Sequence, residues 1–242
     1  RIRKIPKLPA DFKECHVWFF PNPLISLGGS ERNLVSALMQ CGVPRGEAEN
    51  FSKIKSLNLS YVGLTCFPAE FEKLDSLTCL DVSGNSLVGK FPKFLTESLI
   101  QLTAQGCGFG PEFPSAKEWK QLVVLNAANN NFTNVPIVSA NTLRELNLSG
   151  CRMRDVRGIE AYQTLEKLDI SNNSISQIFK GFARLVKLKK LNWTKNLMSG
   201  FPKEVWRNIV YRLRNSDPSF YPPNQFSGLL TWNDWEYEFM ND

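Results

Sequence analysis

Apolar residues along this chain keep two periods at once: they alternate within short segments, and the segments recur every 21 to 23 residues. The first four segments run Ile54-Lys-Ser-Leu57-Asn-Leu59 to Leu64, Leu77-Thr-Cys-Leu80-Asp-Val82 to Leu87, Leu99-Ile-Gln-Leu102-Thr-Ala104 to Phe109, and Leu122-Val-Val-Leu125-Asn-Ala127 to Phe132. Three more follow, Leu143-Arg-Glu-Leu146-Asn-Leu148 to Met153, Leu165-Glu-Lys-Leu168-Asp-Ile170 to Ile175, and Leu188-Lys-Lys-Leu191-Asn-Trp193 to Met198. Period-two alternation predicts a short β-strand with one buried face in each copy. Beyond each strand stands Asn85, Cys107, Asn130, Cys151, Asn173 or Asn196, with Val62 in the first copy. Such side chains turn the chain out of the strand and satisfy backbone groups inside the loop.

One unit buries too few apolar side chains to offset the ordering of its own backbone, so stability must come from stacking and both ends need covering. Ser30 is a good helix N-cap before an apolar stripe of Leu34, Val35, Leu38 and Met39 that ends near Gly42, and Pro44 to Phe51 suits a second short helix. After the last repeat, Pro202 suits a first helical position, and Val205, Trp206, Ile209 and Leu213 recur at helical spacing. The expected organisation is an N-terminal arm over 1–29, a helical cap over 30–53, seven repeats over 54–200, a second helical cap over 201–214 and a tail over 215–242.

The segments fit Leu-x-x-Leu-x-Leu-x-x-Asn-x-Leu, and over residues 54–214 the chain resembles the leucine-rich-repeat family. Phe67-Pro68, Phe91-Pro92, Phe113-Pro114, Val135-Pro136 and Phe201-Pro202 are similar to the apolar-Pro pair of intracellular repeats. Ser86-Leu-Val-Gly-Lys-Phe-Pro92 and Leu197-Met-Ser-Gly-Phe-Pro202 look like plant-type repeats, so the subtype is mixed. Repeats five and six depart from both, with no proline after Val156 or Ile178. The resemblance implies an α/β horseshoe-shaped solenoid with a parallel concave β-sheet, whose work is to bind another macromolecule. Helical caps and extended terminal arms complete the expected architecture.

In this architecture the residues beside the strand leucines face the concave side. The candidates there are Asn58, Tyr61, Asp81, Gln101, Asn126, Glu145, Asn147, Asp169, Lys190 and Asn192. The central column, Asn58, Asp81, Thr103, Asn126, Asn147, Asp169 and Asn192, and the next, Ser60, Ser83, Gln105, Ala128, Ser149, Ser171 and Thr194, are polar, small and nearly neutral, which speaks against a duplex nucleic-acid groove, where Lys or Arg would displace phosphate counterions.

Composition adds one asymmetry. The formal net charge is +6, and residues 144–195 alone hold 11 basic against 5 acidic groups. Arg152, Arg154, Arg157, Lys167, Lys187 and Lys195 are the candidates for a basic flank that would meet an acidic protein or, as the alternative, RNA phosphates of a particle such as the ribosome. The stretch 215–242 is the opposite: seven aromatics, Phe220, Tyr221, Phe226, Trp232, Trp235, Tyr237 and Phe239, with no basic residue. Disordered tails are poor in aromatics, so these residues are expected to lie against the solenoid or a neighbour.

Catalytic chemistry finds no footing. The single histidine, His16, stands beside Cys15, and neighbours in sequence rarely present a nucleophile to a base. Gly106-Cys-Gly-Phe-Gly110 lacks the Lys-Ser or Lys-Thr of a phosphate loop and falls on the turn of repeat three. The six cysteines lie at least 13 residues apart, without a zinc-like pair, and free thiols are expected. No stretch reaches the about 20 apolar residues of a membrane-spanning helix. Neither a cofactor, a metal nor a small-molecule substrate is expected. The sequence thus reads as a non-catalytic protein-protein interaction subunit of a larger assembly, in the cytoplasm or an organelle such as the mitochondrion. A secreted or receptor ectodomain is the further alternative, raised by Asn-x-Ser/Thr sequons at Asn58, Asn131, Asn147, Asn172 and Asn192.

Overall fold

The computed structural model describes residues 35–216, apart from 37, 40–42, 68, 88–90, 115–118, 137, 139–140 and 199–201. Seven three-residue strands form one parallel sheet in sequence order: β1 (Ser56–Asn58), β2 (Cys79–Asp81), β3 (Gln101–Thr103), β4 (Val124–Asn126), β5 (Glu145–Asn147), β6 (Lys167–Asp169) and β7 (Lys190–Asn192). The register aligns Leu57, Leu80, Leu102, Leu125, Leu146, Leu168 and Leu191 side by side. All seven are buried, and with Leu59, Val82, Ala104, Ala127, Leu148, Ile170 and Trp193 they form the sheet side of one continuous core. The sequence periodicity and the sheet are therefore the same fact seen twice.

Three residues beyond each strand stands a left-handed residue. Tyr61, Gly84, Gly106, Asn129, Gly150, Asn172 and Lys195 occupy the same place in successive repeats, all with φ between 53° and 66°. The next residue in most repeats is the Asn or Cys of the sequence pattern. Asn130 shows what it does: Oδ1 accepts from the N–H of Cys107 (3.1 Å) and Phe109 (2.9 Å), while Nδ2 donates to the carbonyls of Ala104 (2.8 Å) and Ala127 (2.9 Å). Asn85, Asn173 and Asn196 repeat the pattern, each stitching its own loop to the preceding one. Cys107 and Cys151 keep only the donor half, Sγ to the carbonyls of Val82 (3.2 Å) and Ala127 (3.6 Å).

The apolar residues of the apolar-Pro pairs build the opposite wall. Phe91 lies 5.1 Å from Phe67 and 6.0 Å from Phe113 between ring centroids, and Phe113 lies 6.1 Å from Phe132, so an aromatic row runs through the first four repeats. Where the proline is missing, Val156 and Ile178 are still buried. Tyr162 ties repeat five to repeat four's loop: its hydroxyl donates to the Pro136 carbonyl (2.6 Å) and accepts from the Val138 N–H (2.8 Å).

Before β1, Val35, Ser36, Leu38 and Met39 are helical, as is Arg45–Glu49, and a 3-10 turn covers Phe51–Lys53. Ser30 and Leu34 lie outside the described residues. After β7 the chain is α-helical over Lys203–Val205, π-helical over Trp206–Val210 and α-helical over Tyr211–Ser216. Val205, Ile209, Val210 and Leu213 join the core, and this segment packs on the 3-10 turn Lys180–Arg184. No helix among the described residues is long and apolar enough to cross a membrane.

Candidate functional site

A strand of three residues leaves its outer side chains few ways to point, and the parallel register brings equivalent side chains into rows. The result is a depression of about 540 Å³ spanning β3 to β7. Gln101, Asn126, Glu145, Asn147, Lys167, Asp169, Lys190 and Asn192 all line it, with Leu213 of the last helical segment at one end. Of the remaining concave candidates, Asn58, Tyr61 and Asp81 belong to the first two repeats and are not part of this depression. Asn58 is buried, Asp81 is partly so, and Tyr61 stays exposed.

The row of Asn and Asp is held by its own backbone. Asn58, Asp81, Asn126, Asn147, Asp169 and Asn192 each accept, through Oδ1, the N–H two residues on. The turn after the strand needs an acceptor there, which explains why an Asx side chain recurs. Thr103 breaks the row, and the Ser83 hydroxyl of the preceding repeat accepts the N–H of Gln105 instead (3.2 Å). Burial pushes the Asp81 carboxyl above the ordinary carboxylate range, and its bonds from Ser83 oppose that shift.

Fixing Oδ1 also fixes the amide orientation, which would otherwise be ambiguous. Nδ2 of Asn126 and of Asn147 is left as a donor without a partner among the described residues. The acidic groups of the depression are already satisfied. Glu145 pairs with Lys167 at 2.6 Å, while Asp169 accepts from the Ser171 N–H (2.9 Å) and hydroxyl (2.7 Å) and from Asn192 Nδ2 (3.0 Å). Lys190 on β7 is exposed and forms no ion pair among the described residues. Among the described residues, the donors this face leaves unpaired are the Lys190 ammonium and the Asn126 and Asn147 amides.

The basic flank separates into different surroundings. Arg157 pairs with Asp155 (2.7 Å) and lies over the Phe179 ring, 4.9 Å from its centroid. Lys167 is not on a flank at all but in the sheet. Arg152 and Arg154 are exposed on the segment leaving the concave sheet, where their N–H groups bond to Phe132 and Thr133. Lys187 and Lys195 are exposed at turns. An ion-pair row escaped the sequence reading: Glu166 sits between Arg144 and Lys189, bonding both, with Lys189 at 2.7 Å. Those two cations hold the Glu166 carboxyl below the usual range, Lys189 first. The repeat spacing itself, 22 and 23 residues from Arg144 to Glu166 to Lys189, carried that signal.

Cys66 is exposed, Cys79 half-buried, and Cys107 and Cys151 buried, all as free thiols. Among the described residues no cluster of His, Cys, Asp or Glu has the grouping of a metal site. The tail aromatics Phe220, Tyr221, Phe226, Trp232, Trp235, Tyr237 and Phe239, with the whole of 217–242, lie outside the described residues.

Family models described as Leucine Rich Repeat match residues 76–97 and 164–185, and a second leucine-rich-repeat model matches 139–156. The matched segments of this chain are leucine-rich repeats. This leucine-rich-repeat chain is similar to Receptor-like protein 18 of Arabidopsis thaliana, 26% identical over 170 residues, and to an uncharacterised leucine-rich repeat-containing protein of Schizosaccharomyces pombe, 32% identical over 169 residues. Each alignment covers 66% of this chain but only 20% and 23% of the relative. Among solved structures, a TLR13–ssRNA13 complex matches with a TM-score of 0.55 at 19% identity, covering 63% of this chain and 23% of that one. The Toll–Spätzle complex of Drosophila matches with a TM-score of 0.55 at 17% identity, covering 71% and 23%. At these identities the likeness speaks for the solenoid fold.

Proposed function

We propose that this leucine-rich-repeat chain is a non-catalytic protein-interaction subunit of a larger assembly, inside the cell or an organelle, and that it takes its partner on the concave depression of β3 to β7. The observation that supports this reading is the chemistry of that surface. Its carboxylates are occupied by Lys167, Ser171 and Asn192, so what it offers a partner is Lys190 and the amide donors of Asn126 and Asn147. Such a face selects acceptor-rich, anionic segments of a protein. Pairing of Arg144, Lys189 and Arg157 within the chain reduces the positive field that RNA attachment would draw on.

The test is site-specific photo-crosslinking in the native source, with p-benzoylphenylalanine replacing Asn126 or Asn147 in one chain and Lys187 in another. The reading expects a discrete protein adduct from the concave positions and none from Lys187. Adducts from Lys187 alone would refute it.

One observation favours a receptor ectodomain as the second reading. Among the sequon asparagines, Asn131 and Asn172 are exposed at loop positions, and Receptor-like protein 18 is among the relatives. Intact mass of the native protein decides between the two: glycans on Asn131 or Asn172 support the ectodomain, and an unmodified chain with free thiols supports the intracellular subunit.

A further inference from the structure

Repeats four, five and six run extended as they leave the concave sheet. Phe132, Cys151, Met153 and Ile175 are buried there, while Asn131 and Thr133, Arg152 and Arg154, and Ser174 and Ser176 are exposed. Backbone bonds hold these segments in register: the Arg152 N–H donates to the Phe132 carbonyl (3.0 Å), Arg154 to Thr133 (3.3 Å), Ser174 to Met153 (2.9 Å) and Ser176 to Arg154 (3.3 Å). Equivalent residues of neighbouring repeats are therefore about 4.8 Å apart, and alternate residues of one repeat about 7 Å apart. This sets the two arginines side by side on one outer edge, Arg152 between Asn131 and Ser174 and Arg154 between Thr133 and Ser176. Among the described residues neither guanidinium has an ion-pair partner, and none of the four neutral side chains is hydrogen-bonded. The carboxylate next along the chain, Asp155, is already taken: it accepts from the Arg157 N–H (3.0 Å), Nε (3.1 Å) and Nη2 (2.7 Å).

We propose that Arg152 and Arg154 form a recognition site for the phosphomonoester of a phosphorylated protein segment, held by the two guanidinium forks and the hydroxyls of Thr133, Ser174 and Ser176. The site stands outside the concave depression and takes a ligand of its own, independent of the partner held there. The donor set decides the ligand chemistry. Two forks with flanking hydroxyls offer more donors than the two oxygens of a carboxylate accept, whereas a phosphomonoester brings three acceptor oxygens and about −1.5 to −2 of charge. The distribution of charge decides the source. Neutral Asn131 and Ser174 flank Arg152, and the next cation along this edge, Lys195, is two repeats on, roughly 10 Å away, so the charge is a spot and not a track. A polynucleotide draws its affinity from successive phosphates and from bases stacked on aromatics. No exposed aromatic stands among residues 129–134, 150–157 or 172–179, and the Phe179 ring is covered by Arg157. A glycan on Asn131 would cover the site, so phosphate recognition belongs with the intracellular reading, which intact mass tests on its own.

The experiment immobilises the full chain, made unglycosylated in bacteria. It offers four probes: short degenerate peptides centred on phosphoserine, the same peptides with serine, a uridine dodecamer, and vesicles of phosphatidic acid in phosphatidylcholine. Retention of the phosphoserine peptides should exceed that of every other probe roughly tenfold or more, and R152Q/R154Q should abolish the difference. R152K/R154K keeps both charges without the forks and should fall between that variant and wild type. Both arginines are exposed, so the fold is kept, which an unchanged thermal midpoint checks. K187Q/K195Q removes the same charge elsewhere and should retain the peptides as wild type does. Equal retention of phosphoserine and serine peptides, preference for the RNA or the vesicles, or retention that survives in R152Q/R154Q would each overturn the proposal.

Discussion

The ring of Tyr61 lies over Gly84, with Cε1 only 2.2 Å from where a β-carbon on that glycine would be placed. Both residues occupy the left-handed position of their repeats, Tyr61 at φ 58° and Gly84 at φ 66°. A tyrosine in that backbone conformation is uncommon, and its ring remains 65% exposed. Gly84→Ala therefore meets two obstacles, the ring and the φ. The ring can swing away because it is the far end of an exposed side chain; the backbone cannot. Urea denaturation should show a loss of about 1–2 kcal/mol, set by the left-handed conformation. Gly46→Ala is the control. It sits in the helix Arg45–Glu49 with no heavy atom within 4 Å of a β-carbon, and should be neutral or stabilising by up to about 1 kcal/mol.

Asn130→Ala removes one acceptor and one donor group that together serve five backbone partners. Each buried group left without a partner costs about 1–3 kcal/mol, so the denaturation midpoint should fall by more than for Gly84→Ala. Asn130→Cys keeps a weak donor, in the manner of Cys107 and Cys151, and should fall between wild type and alanine. Equal midpoints for Asn130→Ala and wild type would mean that the loops hold together without this ladder.

Tyr162 gives a spectroscopic handle. Burial pushes its phenol up to about 12, against a smaller opposing effect of the Val138 N–H. A raised folded pKa means that stability is intact below about 10 and declines as pH rises from there towards 12. Ultraviolet titration should show one late-ionising tyrosine, missing in Tyr162→Phe. That variant also strands the Pro136 carbonyl and Val138 N–H, at about 1–3 kcal/mol per buried group.

Glu166 should titrate below its ordinary value because Lys189 and Arg144 both stabilise the carboxylate. With a depressed folded pKa, its contribution is present above the ordinary value of 4.5 and is lost as pH falls through the folded value. Carboxyl-resolved NMR should place the midpoint below 4.5, and Lys189→Ala should move it upward. An unchanged midpoint in that variant would show that the row does not persist in solution.

The strands were legible because a three-residue strand still leaves alternation, and stacking repeats it seven times. The Asn and Cys ladder was legible for the same reason. What escaped was everything that arises between repeats. The left-handed row hides behind its exceptions, since Tyr61 and Lys195 obscure Gly84, Gly106 and Gly150. Lys167 reads as a flank residue in one dimension, yet it lies in the sheet against Glu145, one repeat of 22 residues away. The donor character of the depression could not be read at all, because it depends on which Asn oxygen the following N–H has claimed.

The central claim is that partners are held by the concave face between β3 and β7. Its most direct test is the affinity of the crosslinked partner, once isolated, for full-length chains carrying either K190E with N147D or K187E with R154E. Association should weaken at least tenfold, about 1.4 kcal/mol, for the concave pair and stay within twofold for the outer pair. An unchanged affinity for the concave pair, with a tenfold loss for the outer one, would contradict the account and move the interface to the outer surface.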